Sequence, residues 1–180
     1  MNQTLKNIFR IIFYGIIFFT IEHFLESTDI ITQIQFSFSN PLMVFVSVIR
    51  GPAVGALSIA FGEFLEQLVH HQRDWLFILV SSINCAWIGY GMRNVDIHNG
   101  FFERSDVAHF NKVQVISNII CWVILRPLLN YFIHHTNVME DLQKGFWVAL
   151  GYFTSNLVAA TIFLALYARS RITAANFYRN

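Results

Sequence analysis

Six apolar stretches, each close to the length that a helix needs to cross a lipid bilayer, dominate this 180-residue sequence. A membrane-spanning helix requires about 20 mostly apolar residues, and its backbone must satisfy its own hydrogen bonds. We therefore predict an all-α integral membrane bundle of six transmembrane helices, formed by one domain over residues 1–180. The predicted spans are about Ile8–Leu25, Phe36–Ile49, Ala53–Val69, Trp75–Met92, Val113–Ile133 and Phe146–Ala168.

The second predicted span is short and contains Asn40-Pro41, which favours an interrupted helix. Before it, the segment Thr32–Ser39 alternates polar and apolar residues. This period of two is compatible with a polar face over a cavity and equally with an interfacial loop.

The composition agrees with a membrane protein and argues against several other classes. The chain is 55% hydrophobic and 13% charged, whereas soluble domains carry about 25% charged residues. A net charge of +1 gives no electrostatic reason to bind nucleic acid. Cys85 and Cys121 lie in apolar runs, which indicates packing and not a disulfide. Glu22 and His23 follow the first apolar run in place of a cleavage site, which indicates a retained helix.

The distribution of lysine and arginine predicts the orientation of the bundle, because cytoplasmic loops are enriched in both. With both termini in the cytoplasm, nine basic residues lie on the cytoplasmic side, and only Arg73 and Lys144 are clearly external. Arg126 lies within the fifth span. The same orientation places five histidines on or near the outer side: His23, His70, His71, His134 and His135.

The third span, within Gly51–His71, combines a Gly-Pro turn, small residues four apart and a polar end. Small residues at this spacing allow helix backbones to approach closely in a membrane. Glu63, Glu66 and Gln67 follow at or near hydrocarbon depth, where an unpaired charge costs at least about 2.5 kcal/mol. They predict a polar interior; the alternative is that they lie near the interface and are solvated.

The fifth span carries polar and aromatic residues four apart, which on an α-helix form one stripe. Lipid cannot satisfy such a stripe, so it is expected to face protein or a cavity. Arg126 is predicted to pair with Glu63, Glu66 or an anionic group of a ligand, and Pro127 is expected to kink the helix and free the carbonyl of Val123. Asn156 of the sixth span is predicted to line the same cavity. The stripe consists of Asn118, Trp122, Arg126, Asn130 and His134.

Motifs of several enzyme classes are missing from the sequence. It has no phosphate-binding glycine loop, no His-Glu-x-x-His motif and no Gly-x-Ser-x-Gly elbow. The two His-His pairs do not have the spacing of a structural zinc site. We therefore predict a non-catalytic protein.

Several short motifs, taken in order, resemble the substrate-binding S components of energy-coupling factor (ECF) transporters. The similarity is strongest to the branch described as ECF-type riboflavin transporter substrate-binding proteins, and it covers most of the chain. The motifs are Gly51-Pro52-x-x-Gly55 with Gly62, Asn99-Gly100-x-Phe102 with Asp106, Phe110-Asn111, Gln114, Asn118, Trp122, Pro127-Leu128, Gly145 and Leu166-Tyr167-Ala168.

The resemblance implies a micronutrient pocket near the outer face of a bacterial plasma membrane. It also implies that import requires a membrane T component and two cytoplasmic ABC ATPases. The small-residue face of Gly51, Gly55 and Gly62 is the predicted contact for the T component, since the first span is bulky apart from Gly15. Relatives tend to carry a His and an Asp where Glu63 and Gln67 stand, so the pocket differs from theirs.

The outer histidines, the aromatic residues and Arg126 favour a flat, anionic cargo. Haem is the preferred prediction, since neutral imidazole can ligate its iron and arginine can pair with a propionate. Riboflavin or another vitamin, such as a thiamine precursor, is the alternative, as is an assembly subunit without cargo. His70, His71, His134 and His135 are the candidate iron ligands, and no intrinsic metal is predicted. The predicted substrate-binding residues are Glu63, Gln67, His70, His71, Trp75, Asn118, Trp122, Arg126, Asn130, His134, His135 and Asn156.

Overall fold

The computed structural model describes residues 3–25, 37–71 and 74–177, which form six helices and contain no strand. The predicted all-α architecture is thereby confirmed. A single turn of 3-10 helix, Ile97–Asn99, lies between the fourth and fifth helices. The helices are α1 (Gln3–Leu25), α2 (Ser39–Arg50), α3 (Pro52–Val69), α4 (Trp75–Gly91), α5 (Arg104–His134) and α6, which starts with Val138–Ser155, passes through Asn156–Ala160 and ends with Thr161–Phe177.

Four of these helices, α1, α3, α5 and α6, are long and apolar enough to cross a membrane, while α2 and α4 are shorter apolar helices of 12 and 17 residues. The interruption predicted at Asn40-Pro41 is wrong, since both residues lie in the first turn of α2. Proline is tolerated there because the first turn leaves its backbone N–H groups without intrahelical partners. Two other predictions concern residues that the structure does not describe. They are the alternation of polar and apolar residues before α2, which includes Thr32–Phe36, and the external position of Arg73.

A single residue, Gly51, joins α2 to α3. Its φ of 101° is in the left-handed region, which glycine adopts without steric cost, and Pro52 follows as the first residue of α3. The predicted Gly-Pro turn is confirmed, and it folds α2 back along α3.

Small residues let α3 approach its neighbours closely. A Cβ added at Gly62 would lie 2.9 Å from the Gly15 carbonyl oxygen of α1, and one added at Gly55 would lie 2.5 Å from Cα of Ser47 in α2. Gly55 and Gly62 are thus buried against α2 and α1. Contacts inside the subunit therefore use both glycines, and the contact of this small-residue face with a T component stays a prediction.

Wide π-helical turns interrupt the two long helices, at Ile119–Leu125 in α5 and Asn156–Ala160 in α6. In α5 the N–H of Arg126 donates to the carbonyl of Cys121, five residues earlier. The helix therefore widens immediately before Pro127, where a kink had been predicted. The widened turn packs against α6, where a Cβ on Gly145 would lie 2.0 Å from the Trp122 carbonyl oxygen.

The helices alternate in direction, so each end of the bundle collects residues that are distant in the sequence. The histidine end, as we call it, is where α1, α3 and α5 end and α2, α4 and α6 begin. The arginine end is the opposite one. The histidine end carries His23, His70, His71, His134 and His135, and the arginine end carries Lys6, Arg10, Arg50, Arg93, Arg104, Lys112, Arg169 and Arg171.

Candidate functional site

The side chains with the most evident chemistry lie at the histidine end and in the interior directly beneath it. Two layers can be distinguished. The upper layer holds ionisable groups from α1, α3, α4 and α5, and the lower layer holds amides and aromatic rings from α4, α5 and α6.

In the upper layer, Asp74 and Arg126 join the start of α4 to α5. Arg126 Nη2 donates to Asp74 Oδ2 over 2.8 Å, and Asp74 Oδ1 accepts from the backbone N–H of Phe77 over 3.0 Å. Asp74 is therefore both the N-cap of α4 and the partner of the arginine. The guanidinium also lies over the rings of Phe77 and Trp122, 5.0 and 5.4 Å from their centroids.

The partner of Arg126 differs from the sequence prediction. Glu66 is directed towards α1 and its own helix, with Oε1 2.7 Å from His70 Nε2, so the predicted Arg126–Glu66 pair is wrong. Asp74 was not among the predicted partners of Arg126, because it lies outside the predicted spans. Its position directly before an apolar stretch, typical of an N-cap, was the signal that could have identified it.

The lower layer is centred on Trp122, whose side chain is fully buried. Its ring meets Tyr152 edge-on at 5.2 Å between centroids and lies tilted against Phe77 at 5.0 Å. These contacts join α4, α5 and α6 around one aromatic cluster. The cluster forms an apolar surface in the interior against which the flat ring of a ligand could pack.

An amide network lies one helical turn from Trp122. Asn84 Nδ2 donates to Asn118 Oδ1 over 3.0 Å, and Ser117 Oγ donates to Asn84 Oδ1. All three residues are buried. The network fixes α4 against α5, and Asn84 and Ser117 had no role in the sequence prediction of the site.

Four polar atoms in this interior are buried and have no hydrogen-bond partner among the described residues. They are Asn118 Nδ2, Trp122 Nε1 and both side-chain polar atoms of Asn156. Each buried polar group without a partner costs about 1–3 kcal/mol, so native interiors rarely contain several together. α5 and α6 thus carry buried donors and acceptors that the described residues leave unsatisfied.

The other predicted site residues have varied environments. Glu63 and Gln67 are buried in α3, and Gln67 Nε2 donates to the Asp74 carbonyl over 2.8 Å, which links α3 to α4. Asn130 is half-buried. Exposed positions at the histidine end are occupied by His70, His71, Trp75, His134 and His135.

The fold brings together only part of the stripe predicted for α5. Asn118 and Trp122 are buried and Arg126 is half-buried, whereas His134 is exposed. His134 is exposed because it is the last residue of α5, at the histidine end of the bundle.

Comparison with known proteins places the chain in a family. Residues 8–169 match the family model described as ECF-type riboflavin transporter, S component. A UPF0397 protein of Lactobacillus acidophilus is 27% identical over 177 residues, covering 96% of this chain and 95% of the relative. A UPF0397 protein of Lactobacillus johnsonii is 30% identical over 143 residues, covering 78% of this chain and 76% of the relative. A UPF0397 protein of Staphylococcus aureus is 28% identical over 145 residues, and the same shares of the two chains are covered.

No solved structure matches the chain significantly. The family match covers most of the sequence and agrees with the apolar six-helix fold. The chain therefore belongs to the ECF-type riboflavin transporter S-component family, and it is a non-catalytic, substrate-binding membrane subunit of an ECF transporter.

Proposed function

We propose that this protein captures a planar, hydrogen-bonding vitamin of the flavin type and delivers it to an ECF importer. The observation that carries the proposal is the set of buried polar atoms on α5 and α6 that have no hydrogen-bond partner among the described residues. We propose Asn118, Trp122 and Asn156 as cargo contacts, with Arg126 above them.

The chemistry of these groups suits a heterocycle with ring carbonyls and an N–H. Asn118 Nδ2 and Trp122 Nε1 can each donate to a carbonyl oxygen. Asn156 can donate and accept at once, which complements an imide edge. Phe77, Trp122 and Tyr152 would contact the apolar faces of such a ring. A site of buried amides rejects analogues that lack the matching groups, because its own donors would then stay unpaired.

Haem, the cargo that the sequence favoured, is less well supported than a flavin. His70 Nε2 lies 2.7 Å from Glu66 Oε1 and its ring lies 5.5 Å from that of His23, so His70 belongs to a group between α1 and α3 and not to the aromatic cluster. The other proposed iron ligands, His71, His134 and His135, are exposed and belong to the ends of two different helices. The matching family model is described by riboflavin and not by haem. A thiamine precursor shares the hydrogen-bonding character of a flavin and is distinguished from it by the experiment below.

We further propose that the chain works in a bacterial plasma membrane, with the histidine end outside and both termini in the cytoplasm. A T component and two ATPases would be its partners. This proposal rests on the enrichment of lysine and arginine at the arginine end. It also rests on the family, whose members depend on such partners for energy.

The test is the absorption spectrum of the protein purified in detergent from cells supplied with riboflavin and haem. We expect a flavin spectrum, and a Soret band would overturn the proposal in favour of haem. A colourless protein that does not bind added riboflavin would also overturn it, and mass spectrometry of the released ligand would then identify a thiamine precursor or show an empty pocket.

Two substitutions locate the site. Asn156→Leu and Trp122→Phe remove buried donors while keeping much of the volume, and each is expected to weaken flavin binding about 5- to 150-fold, corresponding to about 1–3 kcal/mol. Phe132→Ala, at an exposed apolar position of α5, is the matched control and should leave binding unchanged. Equal affinities in all three variants would place the cargo elsewhere.

A further inference from the structure

We infer that His23, Glu66 and His70 form a binding site for a divalent transition-metal ion, with Zn²⁺ as the ion that fits the donors best. The site lies at the histidine end between α1 and α3. It is separate from the proposed cargo contacts on α5 and α6, and it does not depend on the identity of the cargo.

The three side chains present their ligand atoms to one point. His23 Nδ1 lies 3.6 Å from Glu66 Oε2, and His70 Nε2 lies 2.7 Å from Glu66 Oε1. One ligand atom from each residue falls within 4.8 Å of the other two. Four-coordinate zinc with bonds of about 2.1 Å holds its ligands roughly 3.4 Å apart, so only small side-chain movements separate this arrangement from coordination.

Two of these atoms are buried and unsatisfied as they stand. His23 Nδ1 and Glu66 Oε2 are both shielded from solvent and have no hydrogen-bond partner among the described residues. They face each other at 3.6 Å, which is too long for a hydrogen bond. A metal ion bound between them would give both atoms a partner, whereas the two atoms do not hydrogen-bond to each other.

The surroundings of the site hold its residues in place. Glu66 and His70 are one turn apart on α3, so both project from the same face of the helix. The His23 ring is stacked on Phe19 at 5.5 Å and meets Phe24 edge-on at 5.1 Å. Close packing of α1 on α3 at Gly15 and Gly62 brings His23 alongside that face.

The donor set selects the class of ion. Two imidazoles and one carboxylate form the His₂Glu set of zinc sites that keep one position for water or another ligand. Imidazole also suits Co²⁺ and Ni²⁺, whereas Mg²⁺ and Ca²⁺ prefer oxygen ligands. A bound ion would link α1 to α3 at the end of the bundle nearest the proposed cargo site.

The experiment titrates the full-length protein in detergent with Co²⁺ and follows its visible absorption, with Zn²⁺ as competitor. We expect one Co²⁺ per chain with the intense absorption of a four-coordinate ion, and its displacement by Zn²⁺. Glu66→Gln, His23→Ala and His70→Ala should each weaken Co²⁺ binding at least tenfold. His109→Ala removes an exposed imidazole at the arginine end and should not weaken it.

Equal Co²⁺ affinity in the wild type and all three ligand variants would overturn the site. An equal loss in His109→Ala would do the same, because it would indicate non-specific binding to histidines. Glu66→Gln keeps the size of the side chain, so the test stands even if an alanine variant fails to fold. Zn²⁺ should also raise the melting temperature of the wild type and not that of Glu66→Gln.

Discussion

At the scale of single residues, Asp74 connects the helix framework to the candidate site. Its Oδ1 accepts from the first turn of α4, and its Oδ2 accepts from Arg126 of α5. Its backbone carbonyl accepts from Gln67 of α3. One residue just before α4 therefore holds three helices in register at the histidine end.

This arrangement leads to a prediction for stability. Asp74→Ala should lower the free energy of unfolding by about 1–2 kcal/mol, because it removes an N-cap and a partly exposed ion pair. Asp74→Asn keeps a capping oxygen and loses only the charge, so it should cost less than half as much. The measurement is denaturant unfolding in detergent.

A double-mutant cycle with Arg126→Met separates the two contributions. If the ion pair contributes, Arg126→Met should cost less in the Asp74→Ala background than in the wild type. Identical costs in both backgrounds would show that the 2.8 Å contact contributes nothing measurable, and that Asp74 acts only as a cap.

At the scale of helices, the π-helical turn of α5 sets the rotation of its second half. Asn118 lies before this turn and contacts Asn84, while Arg126 lies after it and contacts Asp74. Both partners belong to α4. The extra residue in the widened turn allows both ends of α5 to face α4, and π-helical turns of this kind are often found at functional sites.

Deleting Ile119 tests this role of the widened turn. The deletion should restore a regular α-helix in which Asn118 and Arg126 are separated by about two turns, so that both still face α4. Both residues should then keep their α4 partners, so we expect the deletion variant to melt close to the temperature of a matched control. Ile119→Ala is the control, because Ile119 is exposed and its truncation leaves the backbone unchanged. A deletion variant that melts far below that control would contradict the prediction.

At the scale of the whole molecule, the bundle is polarised along its axis. The helices gather lysine and arginine at one end and most histidines at the other, and apolar side chains such as Ile8, Phe9 and Phe13 are exposed along α1 between them. Such a surface suits lipid or a membrane partner. The charge asymmetry predicts that the arginine end faces the cytoplasm.

Labelling of single cysteines on whole cells tests this orientation. Met139→Cys, at a position 73% exposed near the start of α6, should react with a membrane-impermeant maleimide. Lys112→Cys, exposed near the arginine end, should react only after the cells are opened. The native Cys85 and Cys121 are buried and should stay unlabelled, so they need not be removed. The reverse labelling pattern would show that the orientation is inverted.

Much of the fold was predictable because its signals are local. Apolar stretches of nearly membrane-spanning length located all six helices, and Gly51-Pro52 marked the turn between α2 and α3. The start of α2 was misjudged, because proline interrupts a helix interior and is tolerated in a first turn. Nothing local in Ile119–Leu125 indicated a π-helical turn.

By itself the sequence determined which segments are helices, that successive helices run in opposite directions, and that basic residues and histidines lie at opposite ends. These features depend on neighbouring residues and on the cost of burying polar groups in lipid. Only the tertiary structure decided that Arg126 meets Asp74 and that His23 meets Glu66 and His70. Those contacts join residues 43 to 52 positions apart in the chain. They depend on how helices rotate and how closely glycines let them pack, which no local pattern specifies.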